Sequence, residues 1–191
     1  MARQLVIVRH GETEWSRDGR HTGLTDIPLT AMGRRQAEDL RGLLAGHDFE
    51  AVLTSPLERA RESCALAGFG DRAVVDPDLV EWDYGSYDGL TTVQIHERRP
   101  GWSLFRDGPP DGEQLEHVAG RAERVIARAD AYTGAVIVFA HGHLLRVLLA
   151  RWCELPAASG QRFALHAACP SVLGREHDWH AVLSFNALPL R

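Results

Sequence analysis

Two short apolar runs in this chain end on the same dipeptide. Leu5 to Val8 leads into Arg9, His10, Gly11 and Glu12, and Ala135 to Ala140 leads into His141, Gly142 and His143. Each run is short, rich in β-branched residues and bounded by charge or glycine, which is the pattern of a strand buried on both faces. Such strands belong to α/β folds, where ligands bind beyond the carboxyl ends of the strands. The repeat therefore constrains fold and function together. It puts His10 and His141 at two strand ends, from which they can meet over one site.

The rest of the chain continues the alternation. Thr30 can cap a helix carrying Met32, Ala37, Leu40, Leu43 and Leu44, with Gly46 to end it. Ala51 to Thr54 reads as a strand. Ser55, Pro56, Leu57 and Glu58 have capping-box spacing with proline at the first helical position, so a helix is expected to start there. Val74 and Val75 suggest a third strand. Leu115, Val118, Ala119, Ala122, Val125, Ile126 and Ala129 fall on one helical face. Leu144 to Trp152 reads as a further helix. From Phe163 to Phe185 short β-like pieces are expected, broken by Gly174 and by His177-Asp178. The expected architecture is a three-layer α/β/α sandwich with a mostly parallel central sheet and helices on both faces, as one domain over residues 1–191. The Gly/Pro-rich piece from Arg106 to Gly112 reads as a loop inside it.

Composition narrows the function classes. A chain of 191 residues with 45% apolar and 25% charged residues can bury a core of ordinary globular character. A net charge of -5 gives no sign of a nucleic-acid or membrane partner, since those demand a basic face. An anionic small molecule is still compatible, because a site can be locally positive on an acidic protein. Cys64, Cys153 and Cys169 are odd in number and form no C-x-x-C, so they read as reduced thiols of a cytoplasmic protein. Neither a signal peptide nor a transmembrane helix is expected.

The residues at the strand ends suggest a chemistry. Arg9 offers a planar fork suited to phosphate oxygens. Gly11 lets a ligand approach the backbone. Arg59 follows the second strand and reaches the same end of the sheet. Two arginines and two histidines would converge where an anion binds, and phosphoryl transfer is largely positioning and charge stabilisation. A histidine can be the covalent nucleophile. Glu81, in a loop dense with aromatics and glycines, can donate a proton to the leaving oxygen, with Asp83 as the rival acid. Arg59 has an alternative as a solvated helix arginine paired with Glu58 or Glu62.

Arg9-His10-Gly11-Glu12-Thr13, Ser55-Pro56-Leu57 with Arg59-Ala60, Leu79-Val80-Glu81 with Tyr84-Gly85 and Asp88-Gly89, and His141-Gly142 resemble, in order, the motifs of the histidine phosphatase superfamily, the phosphoglycerate mutase-like clan. The resemblance implies that His10 is the phosphorylated nucleophile and that Arg9, Arg59 and His141 bind the phosphoryl group. It implies that Glu81 is the general acid and then the base for water. Ser16, Thr22 and Gly23 would line the same pocket, as would Gly11 and Gly142. No cofactor is implied, and the partner would be a small phosphorylated metabolite. The clan often forms dimers, so a homodimer is compatible. Mutases of the clan carry arginine after the catalytic glutamate, where this chain has Trp82. That departure favours a phosphatase resembling small acid phosphatases and sedoheptulose-bisphosphatase-like enzymes, with a phosphoglycerate mutase or a non-catalytic phosphate-binding module as the alternatives.

Some positions stay open. His143 reads either as a substrate contact or as a first-turn helix residue facing solvent. Trp82, Tyr84 and Tyr87 read either as core packing or as a substrate wall. His21, His96, His117, His166, His177 and His180 take a structural or surface reading. A zinc hydrolase is a rival, since His10 and the HGH stretch contain ligands. The chain lacks H-E-x-x-H and Cys/His spacing, and two arginines would repel a cation. A Rossmann dinucleotide site is excluded by the absence of G-x-G-x-x-G after the first strand.

Overall fold

Successive residues of the central strands point to opposite faces, and here both faces are apolar. The computed structural model describes residues 4–187. It contains the strands β1 (Leu5–Arg9), β2 (Phe49–Thr54), β3 (Ala73–Val75), β4 (Ala135–Ala140), β5 (Pro170–Glu176) and β6 (Trp179–Ser184). They form a 6-stranded sheet of order β3-β2-β4-β1-β5-β6. The pairs β3–β2, β2–β4 and β4–β1 are parallel, whereas β5 runs antiparallel to β1 and β6 antiparallel to β5. The helices are α1 (Glu14–Arg17), α2 (Ala31–Leu43), α3 (Glu58–Leu66), α4 (Thr92–Arg98), α5 (Leu104–Asp107), α6 (Leu115–Asp130) and α7 (Gly142–Trp152).

The strands split by parity between two cores. Leu5, Ile7, Val136 and Val138 pack with Val118 and Val125 of α6 and Leu144 and Leu148 of α7. Val6, Val8, Ile137 and Phe139 pack with Leu40 of α2 and Cys64 of α3. This is the expected α/β sandwich, with the helix layers fixed by the period-2 geometry of buried strands.

Local signals explain most boundaries. Thr30 Oγ1 accepts the Gly33 N–H at 3.0 Å and caps α2 as expected. The same hydroxyl donates to Glu12 Oε1 at 2.8 Å, which ties the loop after β1 to the start of α2. The capping box at Ser55 does not form. Helix α3 begins only at Glu58, after Leu57 as N-cap without a side-chain cap. Asp26 takes that role from a distant loop, accepting the Glu58 N–H at 2.9 and 3.0 Å. Met32, expected on the apolar face of α2, is 50% exposed, because the stripe that packs inward runs through Gly33, Ala37 and Leu40. Gly174 does not break the tail. It sits inside β5, paired with Ala181, and only His177-Asp178 makes the turn of the hairpin.

Candidate active site

The parallel register of β1 and β4 places Arg9 beside Ala140, so the next residue of each strand, His10 and His141, leaves the sheet side by side. The His10 N–H extends the ladder to the Ala140 carbonyl at 3.0 Å. The two rings lie with centroids 5.2 Å apart and tilted by 59°. His10 Nδ1 is 2.7 Å from the Gly11 carbonyl, which can only accept, so the ring proton of a neutral imidazole is on Nδ1 and the lone pair is on Nε2. Gly11 serves packing: a Cβ there would stand 2.3 Å from the Gly33 carbonyl oxygen of α2. Neither Gly11 nor Gly142 has a positive φ, so close approach, not turn geometry, is what requires the first of them.

His141 is fully buried, with Nε2 2.7 Å from Ser55 Oγ. Ser55 Oγ also accepts the Leu57 N–H at 3.3 Å, which leaves it a proton to donate and one lone pair to accept with. When Ser55 is the donor, His141 carries its proton on Nδ1, an atom that is buried without a protein partner. Arg59 is fully buried as well. Its Nη1 donates to the Thr25 carbonyl at 3.0 Å, and its Nη2 donates to those of Thr22 at 3.2 Å and Gly23 at 2.8 Å. It does not pair with Glu62, which meets Arg34 at 2.9 Å instead. Arg9 Nη1 donates to the Leu165 carbonyl at 2.8 Å. The Nε atoms of Arg9 and Arg59 join His141 Nδ1 as buried polar atoms without a partner. Leaving such donors unpaired costs about 1–3 kcal/mol each, more for charged groups, a cost that an anion contacting them would remove.

Glu81 lies at the amino end of α7 and is 4% exposed. Its Oε1 accepts the N–H groups of Trp82 and Leu144, both at 2.9 Å, and its Oε2 accepts that of His143 at 3.0 Å. The rival Asp83 turns away, its Oδ1 accepting the Gly85 N–H at 2.9 Å, and it borders a different cavity. A cleft of about 350 Å³ opens over this cluster. Of the residues expected there, Arg9, His10, Ser16, Thr22, Glu81, Tyr84, Gly142 and His143 line it. His143 does so with Nδ1 hydrogen-bonded to Tyr84 Oη at 2.6 Å.

Six residues expected at the cleft do not line it: Gly11, Arg59 and His141, which lie beneath its surface, and Trp82, Tyr87 and Gly23. Trp82 is fully buried, donates its indole N–H to the Glu113 carbonyl at 2.7 Å and packs edge-on against Phe105. Tyr87 packs against Trp102 in the core. Gly23 lies behind the cleft, where its carbonyl holds Arg59. Conversely His21, Arg20, Thr92 and Arg146 line the cleft unforeseen. Arg146 follows His143 by one helical turn on α7, a spacing that signals a shared face. His21 follows no such rule and reaches the site only because its loop folds against Leu90.

Residues 5–188 match the sequence profile of the histidine phosphatase superfamily (branch 1). The chain belongs to that superfamily. An acid phosphatase of Mycobacterium tuberculosis is 44% identical over 179 residues, 91% of this chain and 87% of that protein. Sedoheptulose 1,7-bisphosphatase of Saccharomyces cerevisiae is 37% identical over 80% of this chain and 68% of its own length. Among solved structures, an open-reading-frame product of Mycobacterium tuberculosis superposes with a TM-score of 0.91 at 40% identity, covering 96% of each chain. A mycobacterial glucosyl-3-phosphoglycerate phosphatase complexed with VO3 gives 0.87 at 29% identity, covering 98% of this chain and 100% of that one. The chain is thus a phosphatase, in line with the signal of Trp82 against a mutase.

The electrostatics of this histidine phosphatase favour neutral rings. Burial first, and then Arg59 and Arg9, hold the His10 pKa well below the ordinary imidazole value. Burial, Arg59, His10 and Arg9 do the same for His141. Burial and Arg146 depress His143, and burial brings His21 down to about 4. The unfolded chain charges these rings near pH 6.5, while the folded chain does not. Folding therefore keeps its full stability above that value and loses it as the pH falls, by about 1.4 kcal/mol per ring for each pH unit in which only the unfolded ring is charged. Thermal melts of the ligand-free protein should show a midpoint lower at pH 5 than at pH 7 by on the order of 10 °C. A constant midpoint across that range would mean that the rings charge in place.

Proposed function

We propose that the enzyme is a metal-independent phosphomonoesterase that hydrolyses a small phosphorylated metabolite through a phosphohistidine on His10. The observation that carries this reading is the His10 ring: its proton is held on Nδ1 by the Gly11 carbonyl, which leaves the Nε2 lone pair free, and the ring lines the cleft together with Arg9. In the first step Nε2 attacks phosphorus, and the bond from phosphorus to the ester oxygen breaks. Glu81 gives that oxygen its proton, and the alcohol leaves. Arg9, Arg59 and the Nδ1–H of His141 neutralise the remaining phosphoryl oxygens. In the second step Glu81 takes a proton from water as the water attacks phosphorus. The bond to Nε2 breaks, and phosphate leaves with His10 restored.

The cleft supports a substrate with a polar, hydroxyl-bearing remainder, such as a sugar phosphate. Beyond the phosphoryl end it presents His143, His21 and Thr92 beside the apolar surfaces of Tyr84, Ala164 and Leu165. The sugar-phosphate substrate named for the yeast relative agrees with that lining. The three free cysteines, with Cys64 buried, support a reducing, cytoplasmic setting. Among the described residues, no helix is long and apolar enough to cross a membrane.

Metal independence follows from charge: a cation at His10 would sit against Arg9 and Arg59. The described residues also include no group of three His, Cys, Asp or Glu side chains placed to hold a metal ion. Purified enzyme should hydrolyse an aryl phosphate at an undiminished rate in excess EDTA. Activity that disappears on chelation and returns with a divalent ion would sink the reading.

A further inference from the structure

Glu81 stands on a segment that no regular ladder supports. Val80 to Asp83 follow the 3-10 turn Pro77–Leu79 and belong to no strand or helix. Their backbone groups need partners from elsewhere, and two residues supply most of them. Arg121, in the middle of α6 and only 9% exposed, donates from Nη1 to the carbonyls of Asp78 and Val80, both at 2.8 Å. Its Nη2 reaches the Glu81 carbonyl at 3.4 Å. The same guanidinium grips the Glu113 carboxylate in a fork, at 2.9 Å from Nε and 2.6 Å from Nη2. Glu113 completes the clamp through its backbone. Its carbonyl accepts the Trp82 indole N–H at 2.7 Å, and its N–H donates to the Asp83 carbonyl at 3.0 Å. Every residue from Val80 to Asp83 is therefore held by Arg121 or Glu113.

We propose that the Arg121–Glu113 pair is a positioning device for proton transfer, fixing where the Glu81 carboxyl points. The proposal rests on the reading of Glu81 as the proton carrier. Neither residue lines the cleft beside His10, so neither touches the phosphoryl group. Their effect is transmitted through the Val80 and Glu81 carbonyls to the Glu81 Cα. From there the side chain spans the gap to the first N–H groups of α7. Arg9, His10, Arg59 and His141 stand on other segments, so a loosened clamp misplaces the acid and leaves the nucleophile and the anion site in position. A guanidinium is suited to this task because its rigid fork serves three carbonyls and a carboxylate at once, which a lysine ammonium on a flexible stem does not.

A residue that merely stabilised the fold would slow all substrates alike, whereas a misplaced acid slows only those whose leaving oxygen needs a proton. The test compares kcat/KM, which ends with release of the alcohol and so excludes the later water step in which Glu81 is the base, for an alkyl phosphate and for a nitrophenyl phosphate in Arg121→Lys, Glu113→Gln and Glu81→Gln, with thermal melts of each. Arg121→Lys is expected to lose on the order of tenfold to a hundredfold with the alkyl ester, the scale of a small misplacement of a catalytic group, and under about threefold with the nitrophenyl ester. Combined with Glu81→Gln it should add no further leaving-group sensitivity. Glu113→Gln, which keeps both backbone contacts and side-chain volume, should show the same pattern more weakly and covers the case in which Arg121→Lys does not fold. Equal losses on both esters in the folded variants, beside a steep response of Glu81→Gln, would overturn the clamp alone. A flat response of Glu81→Gln would overturn the reading of Glu81 and the clamp with it.

Discussion

His10→Ala is expected to lose turnover by on the order of a thousandfold or more, the scale seen when a covalent nucleophile is removed. The enzyme quenched in alkali during turnover should carry a phosphate on His10 that mass spectrometry detects and that acid removes. The variant should carry none. The expectation rests on three features that act together. The Gly11 carbonyl fixes the tautomer. Burial and the two arginines keep the ring neutral. The same arginines neutralise an approaching phosphate that would otherwise repel the ring's lone pair. His141 sits close enough to be a rival, so His141→Ala is the companion measurement. It should still label on His10, more slowly, because the proposed mechanism gives His141 a phosphoryl-binding role and its Nε2 is engaged by Ser55. Turnover retained in His10→Ala would place the nucleophile elsewhere.

Glu81→Gln should reduce kcat/KM for alkyl phosphates by on the order of 10²–10⁴, the usual worth of a general acid, and leave kcat/KM for nitrophenyl phosphate within about tenfold, while kcat falls for both because the water step also uses Glu81. An alkoxide cannot depart without a proton, whereas a nitrophenolate can. The amide is not a perfect substitute. Its oxygen can keep the N–H groups of Trp82 and Leu144, but its NH₂ then faces the N–H of His143. A stability loss of about 1 kcal/mol is expected from that lost acceptor, and a melt separates it from the kinetic effect. Asp83→Asn should leave both esters nearly unaffected, since Asp83 turns toward Gly85 and another cavity. The reverse pattern would transfer the acid role to Asp83.

What was legible in the sequence was what the backbone period writes there. β1 and β4 show as apolar runs because both their faces are buried. The inward face of α6 shows because Val118, Ala122, Val125 and Ala129 repeat at helical spacing and are buried at that spacing. What was not legible depended on contacts between distant segments. Ser55 has the chemistry of a cap, but His141 competes for its hydroxyl, and Asp26 occupies the helix start from beyond α2. Trp82 has the chemistry of a cleft wall. It turns inward because the Glu113 carbonyl satisfies its one polar atom. Gly174 has the composition of a break, yet the hairpin partner Ala181 carries it through the strand. His21 gives no local signal, because its place at the cleft is set by the fold of a whole loop.

The contact of Gly11 with Gly33 bears on how far this enzyme can be redesigned. The loop carrying His10 rests on a helix backbone with no side chain between them. A methyl group at Gly11 would meet the Gly33 oxygen at 2.3 Å, and one at Gly33 would meet the Glu12 oxygen at 2.1 Å. No rotamer can absorb such a clash, since neither partner is a side chain. Substrate preference can therefore be varied at His21, Thr92, His143 or Arg146, which line the same cleft, without touching the packing that holds His10 Nε2. The floor beneath that nitrogen offers a library no room, and a selection that randomises Gly11 or Gly33 should return glycine at both.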